Sequence, residues 1–341
     1  MSLTVAQARE LIRRPSGLIE TEALALLDLL MTGGLAAVDG AALLVELSER
    51  GETGAEVAAF AKGLLARAAP IPLQRPSLDV CGTGGSGLTR FNVSTTVAFV
   101  LAAAGVPVAK HGNRGSLKPN GSFDLLDHLG VCYSLPPEKL AALHRDTGVC
   151  FLFARAVHPA VAAVAPYRKA AGRRTIFNLA GPLANPSHPA RRVVGVTNEH
   201  TGRVIADALT RLAVDRAAVV WGGPGIDEFS VTGESRCLVV SGGTSRLVAV
   251  SALHPELEHE ELPGGDAPEN AAIFHRLISG QEDGPLRDMV ALNAGAAIDL
   301  WHDRVPSAHG EGIAQATELL RSGAVRTTFV AHLEAARKLA E

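Results

Sequence analysis

Apolar residues in the first 70 or so positions recur at helical spacing, Leu24, Leu27, Leu30 and Met31 among them, and nothing there alternates as a strand would. Gly51 ends one predicted helix. Thr53 with Glu56 then forms the capping box of the next, which runs to about Ala69, where Pro70 and Pro72 stop it. The proline-punctuated stretch to Pro76 reads as a crossing between domains. From Leu78 the pattern changes. A short apolar strand, Leu78 to Cys81, enters a glycine loop, an Ala/Val-rich helix from about Ser94 to Ala104 closes at Gly105, and a second strand, Val106 to Ala109, follows. That is a βαβ unit and implies a parallel sheet. Pro137 to about Arg173 is again helical in pattern. Further on, strands at Val193 to Val196 and Ala217 to Trp221 flank a helix near Gly202 to Leu212, and after Phe229 antiparallel strands give way to Ala-rich helices. The expected fold class is therefore α/β: a small all-helical domain (1–72 plus about 134–190) beside a larger α/β domain (73–133 plus 191–341) with a mostly parallel central sheet.

Composition narrows the function. The 341 residues include 32 Lys plus Arg and 35 Asp plus Glu, a net charge of −3, and only 4% are aromatic. No basic field or set of stacking rings exists to hold a nucleic acid. Cys81, Cys132, Cys150 and Cys237 show no C-x-x-C spacing, so buried reduced thiols are expected rather than a zinc site or disulfides. The opening MSLTVAQARELIRR lacks an apolar signal core, and the longest apolar run, Val97 to Ala109, is too short to span a bilayer. A soluble cytoplasmic protein with no membrane partner is expected.

Gly82 to Gly87 reads GTGGSG directly after a strand, which satisfies the dinucleotide fingerprint in form. That fingerprint also needs an acidic residue about 20 positions on, and between Val80 and Phe123 there is none. A Walker loop is excluded because no Gly-Lys-Ser/Thr follows. What remains is a loop of backbone N–H groups followed by Asn92-Val93-Ser94-Thr95-Thr96 at a helix start, where free amides and the dipole favour phosphate. The plainer alternative is that Asn92 or Ser94 caps the helix and the glycines turn the chain. The next strand ends in Lys110-His111-Gly112-Asn113-Arg114-Gly115, so fixed cations stand at a second strand end of the same sheet. Ligands of open α/β sheets bind at such ends, and the two loops together suit one polyanion.

In order along the chain, DVCGTGGSG, FNVSTT, KHGNR, GSFDLLDHLG, FLFARAVHPA, VAPYRKAAGRRTIFNLAGPLANP and GIDEFSVTG resemble the anthranilate phosphoribosyltransferase family, and the likeness extends over essentially the whole chain. The resemblance implies a fold of the nucleoside phosphorylase/phosphoribosyltransferase type and a homodimer joined through the helical domain. It also implies a Mg²⁺-dependent transfer of phosphoribosyl from phosphoribosyl pyrophosphate to the anthranilate amine, with release of pyrophosphate, in tryptophan biosynthesis. The implied donor site comprises Gly82, Gly85, Ser86, Arg90, Asn92, Val93, Ser94, Thr95, Lys110, His111, Gly112, Asn113, Arg114, Lys118 and Ser122. Gly82, Asn113, His158 and Arg168 would contact the acceptor, and Ser94, Asp227 and Glu228 would bind the metal.

The chemistry agrees with these roles. Hard Mg²⁺ prefers one or two carboxylates with phosphate oxygens, and an arginine fork matches a benzoate-type carboxylate. Displacement at an anomeric carbon puts negative charge on the leaving group, which metal, Lys110 and helix-terminal amides would stabilise. An aniline-type amine is already a nucleophile at neutral pH, so no general base is assigned. Ser86, Arg90, Gly115 to Pro119 with Leu117 and Lys118, Arg155, Val157 and Trp221 depart from the family pattern. The added cations would strengthen direct phosphate pairing and weaken metal dependence, while Phe123 and Trp221 would reshape the acceptor pocket. The competing readings are a paralogue acting on another aromatic amine, a non-catalytic nucleic-acid-binding relative and a nucleoside phosphorylase.

Overall fold

The computed structural model describes residues 3–32, 34–84, 91–115, 120–223 and 225–341. Four helices open the chain: α1 (Val5–Ile12), α2 (Glu20–Met31), α3 (Ala37–Arg50) and α4 (Gly54–Leu65). The capping box forms as its sequence predicts. Glu56 N donates to Thr53 Oγ1 at 3.2 Å, and Thr53 N donates to the Glu56 carboxylate at 2.8 Å. That fully buried carboxylate also accepts from Leu18 N at 2.8 Å and from Arg50 at 2.5 Å, so one charge ties three helix ends together.

The α/β part begins with β1 (Leu78–Gly82), α5 (Val93–Ala103), β2 (Val108–Gly112), α6 (Ser122–His128), α7 (Pro137–Thr147) and β3 (Val149–Phe153). Three short helices follow, α8 (Ala154–Val157), α9 (Ala165–Ala171) and α10 (Ile176–Leu183), before β4 (Arg191–Gly195), α11 (Glu199–Arg211) and β5 (Arg216–Gly222). A hairpin of β6 (Ser235–Ser241) and β7 (Thr244–Val250) leads to α12 (Ala267–Ile278), α13 (Pro285–Trp301), α14 (Glu311–Arg321) and α15 (Ala324–Ala340).

The seven strands form one sheet in the order β3-β2-β1-β4-β5-β6-β7, parallel from β3 through β5 and antiparallel beyond. Strands are added outward on one side from β1 to β3 and on the other from β4 onward. The β1/β4 junction is thus the switch point beside which such sheets bind ligands. Alternation along the central strands feeds two cores: Val193 and Val220 pack with α5 and α12 to α15 on one face, Val194 and Val219 with α2 to α4, α10 and α11 on the other.

Two expectations change. The stretch from Pro137 to Arg173 is not helical throughout, because β3 lies within it and forms the sheet's edge beside β2. Gly148, left-handed at φ 79°, ends α7, and the five-residue apolar run that follows is too short for its periodicity to separate helix from strand. β2 also starts later and runs to Gly112, so Lys110 and His111 lie inside the sheet rather than beyond it. Among the described residues no helix is long and apolar enough to cross a membrane.

Candidate active site

At the carboxyl end of the β1/β4 junction the chain packs too closely for side chains. A Cβ on Gly82 would stand 2.3 Å from Asp227 Oδ2, and one on Gly195 only 1.8 Å from the Asp227 carbonyl oxygen. Glycine is required at both because the acidic loop after β5 folds back across these strand ends. Gly84 N donates to Asp227 Oδ2 at 2.9 Å, and Thr83 N donates to Gly195 O at 2.8 Å. Ser94, Asp227 and Glu228 line a single cleft here with Val80, Val93, Gly195 and Asn293. Asn293 of α13 holds the acidic loop from below: its Nδ2 donates to Phe229 O and Met289 O at 2.8 and 2.9 Å, and its Oδ1 accepts from Phe229 N at 2.9 Å. Sequence reasoning missed both Asn293 and Gly195. The NAGAAI stretch that begins at Asn293 lies in a helix that is itself similar to the family's, but no role was assigned to Asn293 within it.

α5 starts where the sequence predicts. Asn92 stands at the N-cap of α5 without capping it; its Nδ2 donates to Asn120 O at 3.1 Å. Ser94 is partly exposed in the first turn, whereas Thr95 is fully buried, its hydroxyl without a hydrogen-bond partner among the described residues. Gly85, Ser86, Arg90, Leu117 and Lys118 lie outside the described residues.

The cations of the second loop divide differently from expectation. Lys110 is buried, its Nζ donating to Val80 O at 2.5 Å, within a cluster that includes Asp79, Arg192 and Asn185. Asp79 accepts from Asn185 Nδ2 at 2.9 Å and from His111 N at 3.2 Å, and Arg192 donates to Leu183 O at 3.0 Å. Burial pushes Asp79 up and Lys110 and Arg192 down, with their opposite charges pulling back. Arg114 is turned onto Asp127 at 2.9 Å and Tyr133 Oη at 3.0 Å, so an acid from α6 neutralises it. Asn113 is exposed at the end of β2, and its carbonyl accepts from Ser122 Oγ at 3.2 Å. Gly112 lets that serine approach, since a Cβ there would lie 2.6 Å from Ser122 Oγ.

Of the residues expected at the acceptor, Gly82 and Asn113 stand at the ends of β1 and β2, and His158 and Arg168 lie on the helical side. His158 is buried, its Nε2 2.8 Å from Ala184 O, and its ring meets His111 edge-on with centroids 5.2 Å apart. Burial holds His111 down to about 3. Arg168 on α9 is partly exposed, its guanidinium 5.9 Å from the Phe177 ring centroid, and burial lowers its pKa. Trp221 packs on α11, where a Cβ on Gly202 would lie 2.8 Å from its ring. Phe123 is likewise core, stacked edge-on against Tyr133.

Among the described residues no three His, Cys, Asp or Glu side chains converge as metal ligands. The cleft instead offers two carboxylates and a hydroxyl, all hard oxygens.

Residues 74–326 match the glycosyl transferase family, a/b domain. An anthranilate phosphoribosyltransferase of Thermus thermophilus is 45% identical over 305 residues, 89% of this chain and 91% of its own. A solved anthranilate phosphoribosyltransferase from Thermus thermophilus superposes with a TM-score of 0.87 at 41% identity, covering 98% of this chain and 99% of the other. The Saccharomyces cerevisiae enzyme in complex with PRPP and Mg shares the fold, with a TM-score of 0.86 at 24% identity over 98% of both chains.

Proposed function

The chain belongs to the anthranilate phosphoribosyltransferase family, and from that premise we propose a division of labour for its site. The reaction moves the phosphoribosyl group of phosphoribosyl pyrophosphate onto the anthranilate amine and releases pyrophosphate. The observation that carries the assignment is the seating of Asp227 between the glycine ends of β1 and β4, in one cleft with Glu228 and Ser94.

Ser94, Asp227 and Glu228 would hold Mg²⁺. A site with two carboxylates and a hydroxyl, and no wider set of protein ligands among the described residues, fits an ion that completes its shell with phosphate oxygens and water. Bound there, the ion would neutralise charge on the departing pyrophosphate. The first turn of α5 would offer the same anion the Ser94 amide and the positive end of its dipole. Arg168 orients the acceptor through its carboxylate, and Asn113 and Gly82 border the space between donor and acceptor. His111, held neutral by burial, shapes this wall without adding charge to it. Lys110 acts from beneath as part of the strand-end scaffold.

The helical unit (1–72 with the α8 to α10 segment) and the sheet unit, to which β3 and α7 contribute, would close over the substrates and keep water from the cationic sugar. The reading includes a homodimer joined through the helical unit, as the family resemblance implies. The same reading is of a cytoplasmic enzyme without a nucleic-acid partner.

The test follows anthranilate fluorescence with phosphoribosyl pyrophosphate and Mg²⁺. Asp227→Ala is expected to lose about 100-fold or more in kcat/KM, and Arg168→Ala to raise KM for anthranilate while leaving that for the donor. No turnover by the wild type, with the donor still binding in calorimetry, would transfer the assignment to another aromatic amine.

A further inference from the structure

The starts of α5 and α6 both carry residues assigned above to the donor, yet 28 residues separate Asn92 from Asn120 and no strand pairs them directly. A third, distant asparagine joins them. Asn270 of α12 is fully buried; its Nδ2 donates to Asn92 Oδ1 at 2.9 Å and to Asn120 Oδ1 at 2.8 Å, with Gly265 O also within reach at 3.2 Å. Its Oδ1 accepts from Gly265 N at 3.0 Å.

The helix that carries it is firmly held. Glu269 N donates to Asp266 Oδ1 at 3.0 Å and Asp266 N to Glu269 Oε2 at 3.1 Å, closing a capping box, while Ile273, Phe274, Leu277 and Ile278 of the same helix lie in the core. A carboxamide among such residues is costly to bury unless its hydrogen bonds are made, and here its two protons are directed at the two loops. The consequence reaches the site. With its side chain engaged by Asn270 and Asn120, Asn92 makes no side-chain cap on α5; Val93 N and Thr95 N donate to the Phe91 and Asn92 carbonyls, and of the first-turn amides Ser94 N has no acceptor among the described residues and is the one left for an anion.

We propose that Asn270 is a positioning residue for the phosphoribosyl donor, fixing the N-terminus of α5 against the start of α6 so that both address one pyrophosphate. The proposal rests on the donor site read above. It extends that site to a side chain that touches no substrate and lies far along the chain from either loop.

Calorimetric titration of phosphoribosyl pyrophosphate into wild type, Asn270→Asp, Asn120→Ala and the double variant tests it, alongside steady-state constants for both substrates and thermal melts. Asn270→Asp is nearly isosteric but loses both donors, so donor affinity should fall about tenfold. Asn120→Ala, at a partly exposed position, should weaken donor binding several-fold and carries the test should Asn270→Asp fail to fold. The double variant should bind no more weakly than the sum of the singles allows, because they share one bond. KM for anthranilate and the melting temperature of Asn120→Ala should stay at wild-type values. Unchanged donor affinity in either folded variant overturns the proposal, as does a parallel loss of donor affinity, anthranilate affinity and melting temperature. A wild type that binds no donor overturns the donor-site reading and this inference with it, an outcome distinct from a wild type that binds while the variants bind equally well.

Discussion

Two charged clusters, one at the carboxyl end of the sheet and one within it, obey opposite rules. In the cleft, Asp227 and Glu228 stand on a loop, with Ser94 beside them and backbone amides as neighbours. One layer beneath, Asp79, Lys110, Arg192 and Asn185 are buried, each bonded to another member or to a backbone carbonyl of β1, β2 or α10. The upper cluster lines a cleft, while the lower cluster's hydrogen bonds are made within the fold. The difference teaches that a cation at a strand end belongs to the ligand only when no buried acid already faces it.

Breaking the lower cluster should have the largest effect on stability. Asp79→Ala removes the strongest opposite charge on both buried Lys110 and buried Arg192, a loss of about 3–5 kcal/mol measured by urea denaturation. Asp227→Ala should unfold like wild type although it is inactive. If the two variants denature alike, the division between fold charge and ligand charge is wrong. Gly195→Ala sharpens the same division at the boundary. The added methyl would meet the Asp227 carbonyl at 1.8 Å, so the loop must shift, at a cost of about 1–3 kcal/mol. Turnover should fall more than the melting temperature does, because the displaced group is the acidic loop itself.

The sequence made much of this legible, and the failures have definite causes. β1, α5, β4, β5 and the β6/β7 hairpin could be read because apolar runs there are bounded by glycine, proline or charge. β3 could not, since VCFLF lies between two helical patterns and five residues fit either period. Ser94, Asp227 and Glu228 were brought to one cleft by motif and by the strand-end rule, and they share it. Lys110 was read as a cation at a strand end facing a polyanion; that it is buried beside Asp79 of the neighbouring strand is a tertiary fact. Trp221 carried a usable signal that went unread. Val219 faces one core and Val220 the other, so strand alternation alone returns Trp221 to the α11 side. Asn270 carried none, because its partners lie 150 and 178 residues away.

The smallest expected effect is on pH dependence, and it again separates the buried layer from the cleft. Burial, then the neighbouring His158, brings His111 down from 6.5 to about 3, and burial brings His332 down to about 4. Between those values and 6.5 the unfolded chain binds protons that the native chain refuses, so stability falls as the pH is lowered through that window. Each such histidine steepens the fall by at most about 1.4 kcal/mol per pH unit. Asp79 works in the opposite sense, since burial raises it and the native carboxyl accepts a proton before the unfolded one does. The test is therefore differential. His111→Leu should flatten the acid limb of denaturation free energy against pH relative to wild type, with the two curves parallel above about pH 7.5, where unfolded histidine is neutral. Equal slopes below about pH 6 would mean that His111 gains its proton in the native state, and that the wall between donor and acceptor is charged rather than neutral.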